Sequence, residues 1–289
     1  MDTNTNMAAF FLEMFSYPFM QRAFVSGALL AVLLAALGVF VTVRKMAFFG
    51  DGIAHSSLAG IAVAMLAGLA PLPVALVWAL FVALLIWRLE RSTRLPSDTL
   101  IGVFFTASMA LGVVLMSFSR GYQPELLSYL FGSILTIQSG DLLVTAALSL
   151  VIMGWLFLSF RSLTYMSLAE DSAAVAGTDV RSQTAALYVA LALATVLGVK
   201  ILGIILVSAL IILPTAAGRM LAYSFRSYVI GSLFLSELMI LSGLTVSYRF
   251  DLPSGATIVL VGAAIFFLAA AWKTMDGAFS VRAVGRQPR

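Results

Sequence analysis

Apolar residues run through this chain in long blocks with few polar interruptions, roughly at 24–43, 48–69, 73–87, 100–118, 142–160, 185–199, 201–217, 228–248 and 256–272. Continuous hydrophobicity over such lengths predicts membrane-spanning helices. Several blocks fall short of the ~20 residues that cross a ~30 Å hydrocarbon core, so their boundaries are loose. Nine spans are expected, with eight or ten as neighbouring solutions, in an all-α polytopic bundle. Residues 126–137, between Pro124 and Gly140, are too few to span and predict an outer-surface helix or re-entrant piece. Residues 166–180 combine a capping serine, the acids Glu170 and Asp171 in a first turn, and a terminating Gly177. That pattern predicts a short amphipathic helix lying across the membrane face, as a solvated connector or as a docking element for a partner.

Composition agrees with the pattern. Of 289 residues 62% are hydrophobic and 10% charged, and the mean hydropathy is +1.06, far from soluble domains. No cysteine occurs, which excludes disulfides, thiolate metal sites and CxxC redox chemistry. A formal charge of +4 does not point to nucleic acid, because basic residues in such a chain chiefly set topology. With the N-terminus outside, Arg44, Lys45, Arg88, Arg91, Arg94, Arg161, Arg181, Arg219, Arg226, Lys273, Arg282, Arg286 and Arg289 fall inside, against Arg22, Arg120, Lys200 and Arg249 outside. The asymmetry predicts N-out and C-in. Its weakest point is Lys200, where 198–203 must turn between spans or break a helix. Residues 1–21 lack a basic n-region and predict an aromatic surface segment rather than a cleaved signal. Residues 22–273 form one transmembrane domain with a cytoplasmic connection at 161–181, and 274–289 a basic cytoplasmic tail.

The chemistry concentrates at one place. Asp51 and His55, the chain's sole histidine, stand four residues apart within an apolar block, hence on one helical face. Oxygen and imidazole nitrogen make half of a divalent-metal site, and both groups are costly in hydrocarbon unless they face a cavity, a partner or an ion. The alternative is structural: a helix-bundle histidine hydrogen-bonded to a carbonyl or to Asp51 itself. Counting ~1.5 Å per residue from Arg44 and Lys45 puts Asp51 about 9 Å and His55 about 15 Å deep. Glu237, mid-block, is a candidate third ligand or relay, or else a protonated acid bonded between helices. Asp98 and Asp141 read as helix caps, Asp251 as loop chemistry before Pro253, and Pro214 as a bend or end of its helix.

Taken in order, Phe49-Gly50-Asp51, Ala54-His55, Leu58-Ala59-Gly60, Asp98-Thr99-Leu100-Ile101-Gly102, Tyr129-Leu130-Phe131-Gly132, the run from Gly203 to Val207, Leu210 to Pro214, and Asp251 to Ala256 resemble the metal-type ABC-transporter permeases, and most closely those of zinc uptake. The resemblance implies a homodimer in a bacterial inner membrane, two cytoplasmic ATPase subunits, and a periplasmic metal-binding protein docking on outer loops around 120–139 and 249–254. It places the pathway ligands at Asp51 and His55, and the ATPase-coupling helix at Leu168, Ala169, Glu170, Asp171, Ala173, Ala176 and Gly177. It implies transported zinc, or manganese or iron(II), with no permanently bound cofactor. The chain carries no GxxxxGK[ST] loop for ATP. A proton-coupled secondary transporter using Asp51, His55 and Glu237 is the rival reading, though internal repeat symmetry is not evident. A non-transporting scaffold is another. An intramembrane metalloprotease needs HExxH or its equivalent, which one histidine does not supply.

Overall fold

The computed structural model describes residues 12–93, 95–118 and 139–284. Among them every regular element is helical: α1 (Pro18–Val43), α2 (Phe49–Ala67), α3 (Pro71–Thr93), α4 (Ser97–Ser117), α5 (Ser139–Leu168), α6 (Glu170–Val175), α7 (Val180–Leu202), α8 (Ile204–Leu221), α9 (Phe225–Phe250) and α10 (Ser254–Val284). Nine of these are long and apolar enough to cross a membrane, as the hydrophobic pattern predicts. The expected pieces at 126–137 and 1–11, and the Tyr129 to Gly132 motif, lie outside the described residues.

Helix ends follow local chemistry. Pro18 opens α1, where its missing N–H costs nothing. Asp179 caps α7 by accepting from the Ser182 amide at 3.1 Å, and Ser224 with Ser227 forms a capping box on α9. Between α7 and α8 the chain turns on Gly203 alone, with φ 82° and ψ 162°, a region open essentially to glycine. The turn folds α8 back so tightly that a Cβ on Gly198 would lie 2.6 Å from Cγ2 of Val207. Lys200 is thus followed by a reversal between two spans rather than by a broken helix. Pro214 sits inside α8, which continues to Leu221, so it does not end the helix.

The spans alternate in direction, as contacts between distant residues show. Arg44 approaches Glu170 at 3.9 Å, the Tyr188 hydroxyl donates to Glu90 at 2.6 Å, and Lys273 lies over the Tyr223 ring at 5.7 Å. At the opposite end Lys200 pairs with Asp141 at 2.5 Å, and Tyr17 meets Tyr248. Arg44, Lys45, Arg88, Arg91, Arg161, Arg181, Arg219, Arg226 and Lys273 therefore gather at the end that carries α6. Asp141 is an ion-pair partner near the start of α5, a correction to its reading as a cap, since no side chain in the sequence signals that Lys200 will stand opposite.

Burial ranks the helices. The spanning windows of α1, α2 and α7 are 78%, 72% and 72% buried, against 22% for α4 and α10. Two packed groups result: α2, α3 and α4 with α7, and α1 with α8, α9 and α10. Asp51 and His55 sit on a central helix at the seam between them.

The connection expected at 161–181 is shorter. Leu163 and Met166 bury against the core, so α5 continues to Leu168 and the helix over 168–177 contracts to α6, of 6 residues. No serine caps it; Ala169 is the N-cap, with no side-chain bond. Glu170 and Asp171 do form its first turn. Ala173 is its buried face at 2% exposure, Ala176 is the C-cap, and Gly177 takes φ 85°.

Candidate functional site

The glycines around Asp51 decide where its carboxylate goes. A Cβ on Gly50 would lie 2.6 Å from Cδ1 of Ile211 on α8, and one on Gly52 would lie 2.4 Å from Cγ2 of Ile101 on α4. The first turn of α2 is thus pressed between two helices, with Asp51 in the seam. The Ser208 hydroxyl of α8 donates to Asp51 Oδ1 at 2.8 Å, which fixes the carboxylate. The Asp51 side chain remains 40% exposed because it lines a cavity of about 300 Å³ with Phe48, Gly52, Asp98, Ile101, Gly102 and Phe105.

His55 stands one turn further in. Its ring meets Phe105 edge-on at 4.9 Å between centroids, and Nδ1 lies 3.1 Å from the Asp51 backbone carbonyl. A carbonyl only accepts, so this contact puts a proton on Nδ1, and in the neutral ring Nε2 is then the nitrogen open to a ligand. The carboxylate is 3.7 Å from Nδ1, too far for a hydrogen bond. The two side chains share a helix face as the spacing predicts, but the Asp51 carbonyl, not its carboxylate, orients the ring. In that neutral tautomer Nε2, beside an oriented carboxylate, can accept a divalent cation.

Glu237 stands apart. Its helix α9 packs on α1, α8 and α10, and no contact among the described residues joins it to Asp51 or His55. Its Oε1 is buried without a hydrogen-bond partner. Among the described residues no three His, Asp or Glu side chains come together around one metal position, so Asp51, His55 and Glu237 do not form one site within a single chain.

Two residues were missed from the sequence. Ser208 falls between the motifs at 203–207 and 210–214, and a serine in an apolar helix carries no pairing signal. Asp98, expected as a cap, is the second residue of α4 behind the N-cap Pro96 and lines the cavity with Asp51. Its place in the resemblance motif Asp98 to Gly102 was the available signal.

A network ties this region to α6. Phe49 packs edge-on against Tyr188 at 4.9 Å between centroids. Glu90 accepts from Tyr188 and also from Ser97, the residue before Asp98. Arg44, in the turn before α2, faces Glu170. On α6 and its approach, Val175 is 90% and Leu168 70% exposed, apolar surface where a soluble face would be polar.

Comparison with known proteins gives consistent matches. The family model described as "ABC 3 transport family" matches residues 16–273. The chain is 32% identical over 246 residues to the high-affinity zinc uptake system membrane protein ZnuB of Haemophilus influenzae, covering 85% of this chain and 94% of that one. It is 31% identical over 265 residues to the manganese transport system membrane protein MntC of Halalkalibacterium halodurans, covering 92% and 91%. Among solved structures, PsaBC from Streptococcus pneumoniae in complex with Fab superposes with a TM-score of 0.79 at 29% identity, covering 91% of this chain and 95% of that chain.

Proposed function

Because this chain belongs to the ABC 3 transport family, as a metal ABC transporter permease in the membrane, we propose that its cargo is zinc, received from a periplasmic binding protein and passed inward by way of Asp51 and His55. That family removes the proton-coupled secondary transporter and the scaffold from consideration. One observation carries the zinc reading: the Asp51 carbonyl engages Nδ1 of His55, which reserves Nε2 for a ligand beside a Ser208-anchored carboxylate. Imidazole nitrogen favours zinc over harder cations such as manganese. Two ligands from one chain hold an ion weakly, as conduction requires, and a second copy in a homodimer would bring its own pair to the path. Asp98 then lies on the inward side, where the cavity meets the end carrying α6.

Energy comes from outside the chain. The exposed Val175 and Leu168 suit α6 to a groove on a cytoplasmic ATPase subunit, and the Arg44–Glu170 contact gives α6 a route to the first turn of α2. On this account the α6 end is cytoplasmic and the N-terminus outside, in keeping with the basic residues gathered there.

Manganese is the second reading, favoured by Asp98. Two carboxylates on one cavity supply the oxygen-rich surroundings that harder cations prefer. The test is uptake into proteoliposomes holding this subunit, its ATPase and its binding protein, with zinc and manganese offered singly and together. Zinc uptake that excess manganese does not suppress supports the proposal; uptake of manganese in preference to zinc rejects it.

A further inference from the structure

Trp87 lies near the C-terminal end of α3, half-buried, and two guanidinium groups from different helices lie over its ring. Arg91, one turn on, has Cζ 5.7 Å from the ring centroid. Arg181, in the first turn of α7, has Cζ 5.8 Å from it. Neither pairs with a carboxylate among the described residues. The two acids on the same turns are engaged elsewhere: Glu90 by Tyr188 and Ser97, Asp179 by the amide of Ser182. Arg88, exposed beside Trp87, adds a third cation. Among the described residues no carboxylate is in ion-pair contact with the cations of this corner.

The surface leading away from the corner is apolar. Val77, Phe81, Leu84, Arg88 and Arg91 recur at helical spacing on one exposed stripe of α3. The first three are 68%, 55% and 41% exposed, and the stripe changes from hydrocarbon to cation at the end carrying α6. From Leu84 to Val77 the helix rises ~10 Å, a large part of one leaflet's ~15 Å of hydrocarbon. A soluble partner would reach the arginines but not Val77.

We propose that this corner between α3 and α7 binds an anionic phospholipid, its phosphate held by Arg91 and Arg181 and one acyl chain laid along Leu84, Phe81 and Val77. Two guanidinium forks match the oxygens of a phosphodiester, and a tryptophan at this level sits where interfacial indoles collect. Basic pockets between helices at a membrane face are suited to such headgroups.

The full-length subunit, purified in detergent and stripped of lipid, is offered equimolar phosphatidylglycerol and phosphatidylcholine of identical chains, and the retained lipid is counted by native mass spectrometry. The native chain is expected to keep phosphatidylglycerol several-fold over phosphatidylcholine. The preference should fall to near parity in Arg91→Gln/Arg181→Gln and persist in Arg226→Gln, which removes a cation at the same end but off this corner. Arg91→Lys, which keeps the charge and loses the fork, guards against a double variant that fails to fold and should lower the preference partway. Equal retention of both lipids by the native chain overturns the proposal. So does an undiminished preference in the double variant; if that variant, co-expressed with its ATPase, also fails to co-purify with it, the arginines are a protein-docking surface instead.

Discussion

Asp51 keeps its carboxylate at the cavity because Ser208 holds one oxygen at 2.8 Å. A hydrogen bond to a charged group contributes about 1.5–3 kcal/mol, so Ser208→Ala is expected to reduce metal uptake about tenfold in proteoliposomes and to lower the thermal unfolding midpoint by a few degrees. Equal uptake by the variant would mean that Ser208 only fills space. The Asp51–His55 pair was legible because spacing and rarity mark it: an ionisable group in an apolar block needs a reason to be there. Ser208 and Asp98 were not, since their partners lie 157 residues away or across a cavity. Glu237 carried the same intramembrane signal as Asp51, but its helix packs on the other side of α8. Rarity shows that a buried acid matters without showing what it faces.

Helix ends are where the elements departed most from the hydrophobic blocks. Blocks end where residues turn polar, whereas helices end where a cap or a special backbone conformation stops them, so α3 runs to Thr93 and α5 to Leu168. Gly203 illustrates such a stop, and its backbone gives a direct expectation. Alanine at φ 82° costs ~1–3 kcal/mol, so Gly203→Ala should lower the unfolding midpoint by several degrees, measured by differential scanning fluorimetry; an unchanged midpoint would mean that the α7–α8 turn relaxes freely. On α6, burial and charge predict different outcomes. Ala173 is 2% exposed, so Ala173→Glu should dislodge the helix and abolish the stimulation of ATP hydrolysis by metal-loaded binding protein. Glu170→Gln removes a half-exposed contact at 3.9 Å, the kind that contributes ~0–1 kcal/mol, and should leave stability unchanged. A normally stimulated ATPase in Ala173→Glu would separate α6 from coupling.

The whole bundle was the most legible level, because nine apolar stretches of membrane length leave few alternatives and the contacts between their ends fix the alternation. What the hydrophobic pattern lacked was depth order: α1, α2 and α7 are central while α4 and α10 face outward, though central α7 is no more apolar than outward-facing α10. In lipid the outer face of a helix is as hydrophobic as its inner face, so periodicity carries little inside-out information. Orientation rests on basic residues and can be tested cleanly, since the chain has no cysteine of its own. A membrane-impermeant thiol reagent applied to intact cells is expected to label Leu69→Cys, in the α2–α3 turn, and to spare Tyr223→Cys, in the α8–α9 turn, until the cells are opened; the reverse pattern would invert the topology.

The proposal that metal passes Asp51 and His55 is tested most directly by zinc uptake in proteoliposomes containing the complete transporter, comparing the native chain with Asp51→Asn and His55→Ala while ATP hydrolysis is followed in the same vesicles. Both variants should assemble and hydrolyse ATP yet lose at least about 90% of uptake, since each removes one of the two donors proposed for the ion, and no three His, Asp or Glu side chains come together among the described residues. Native rates of uptake in both variants would contradict the account and make the pair a structural contact.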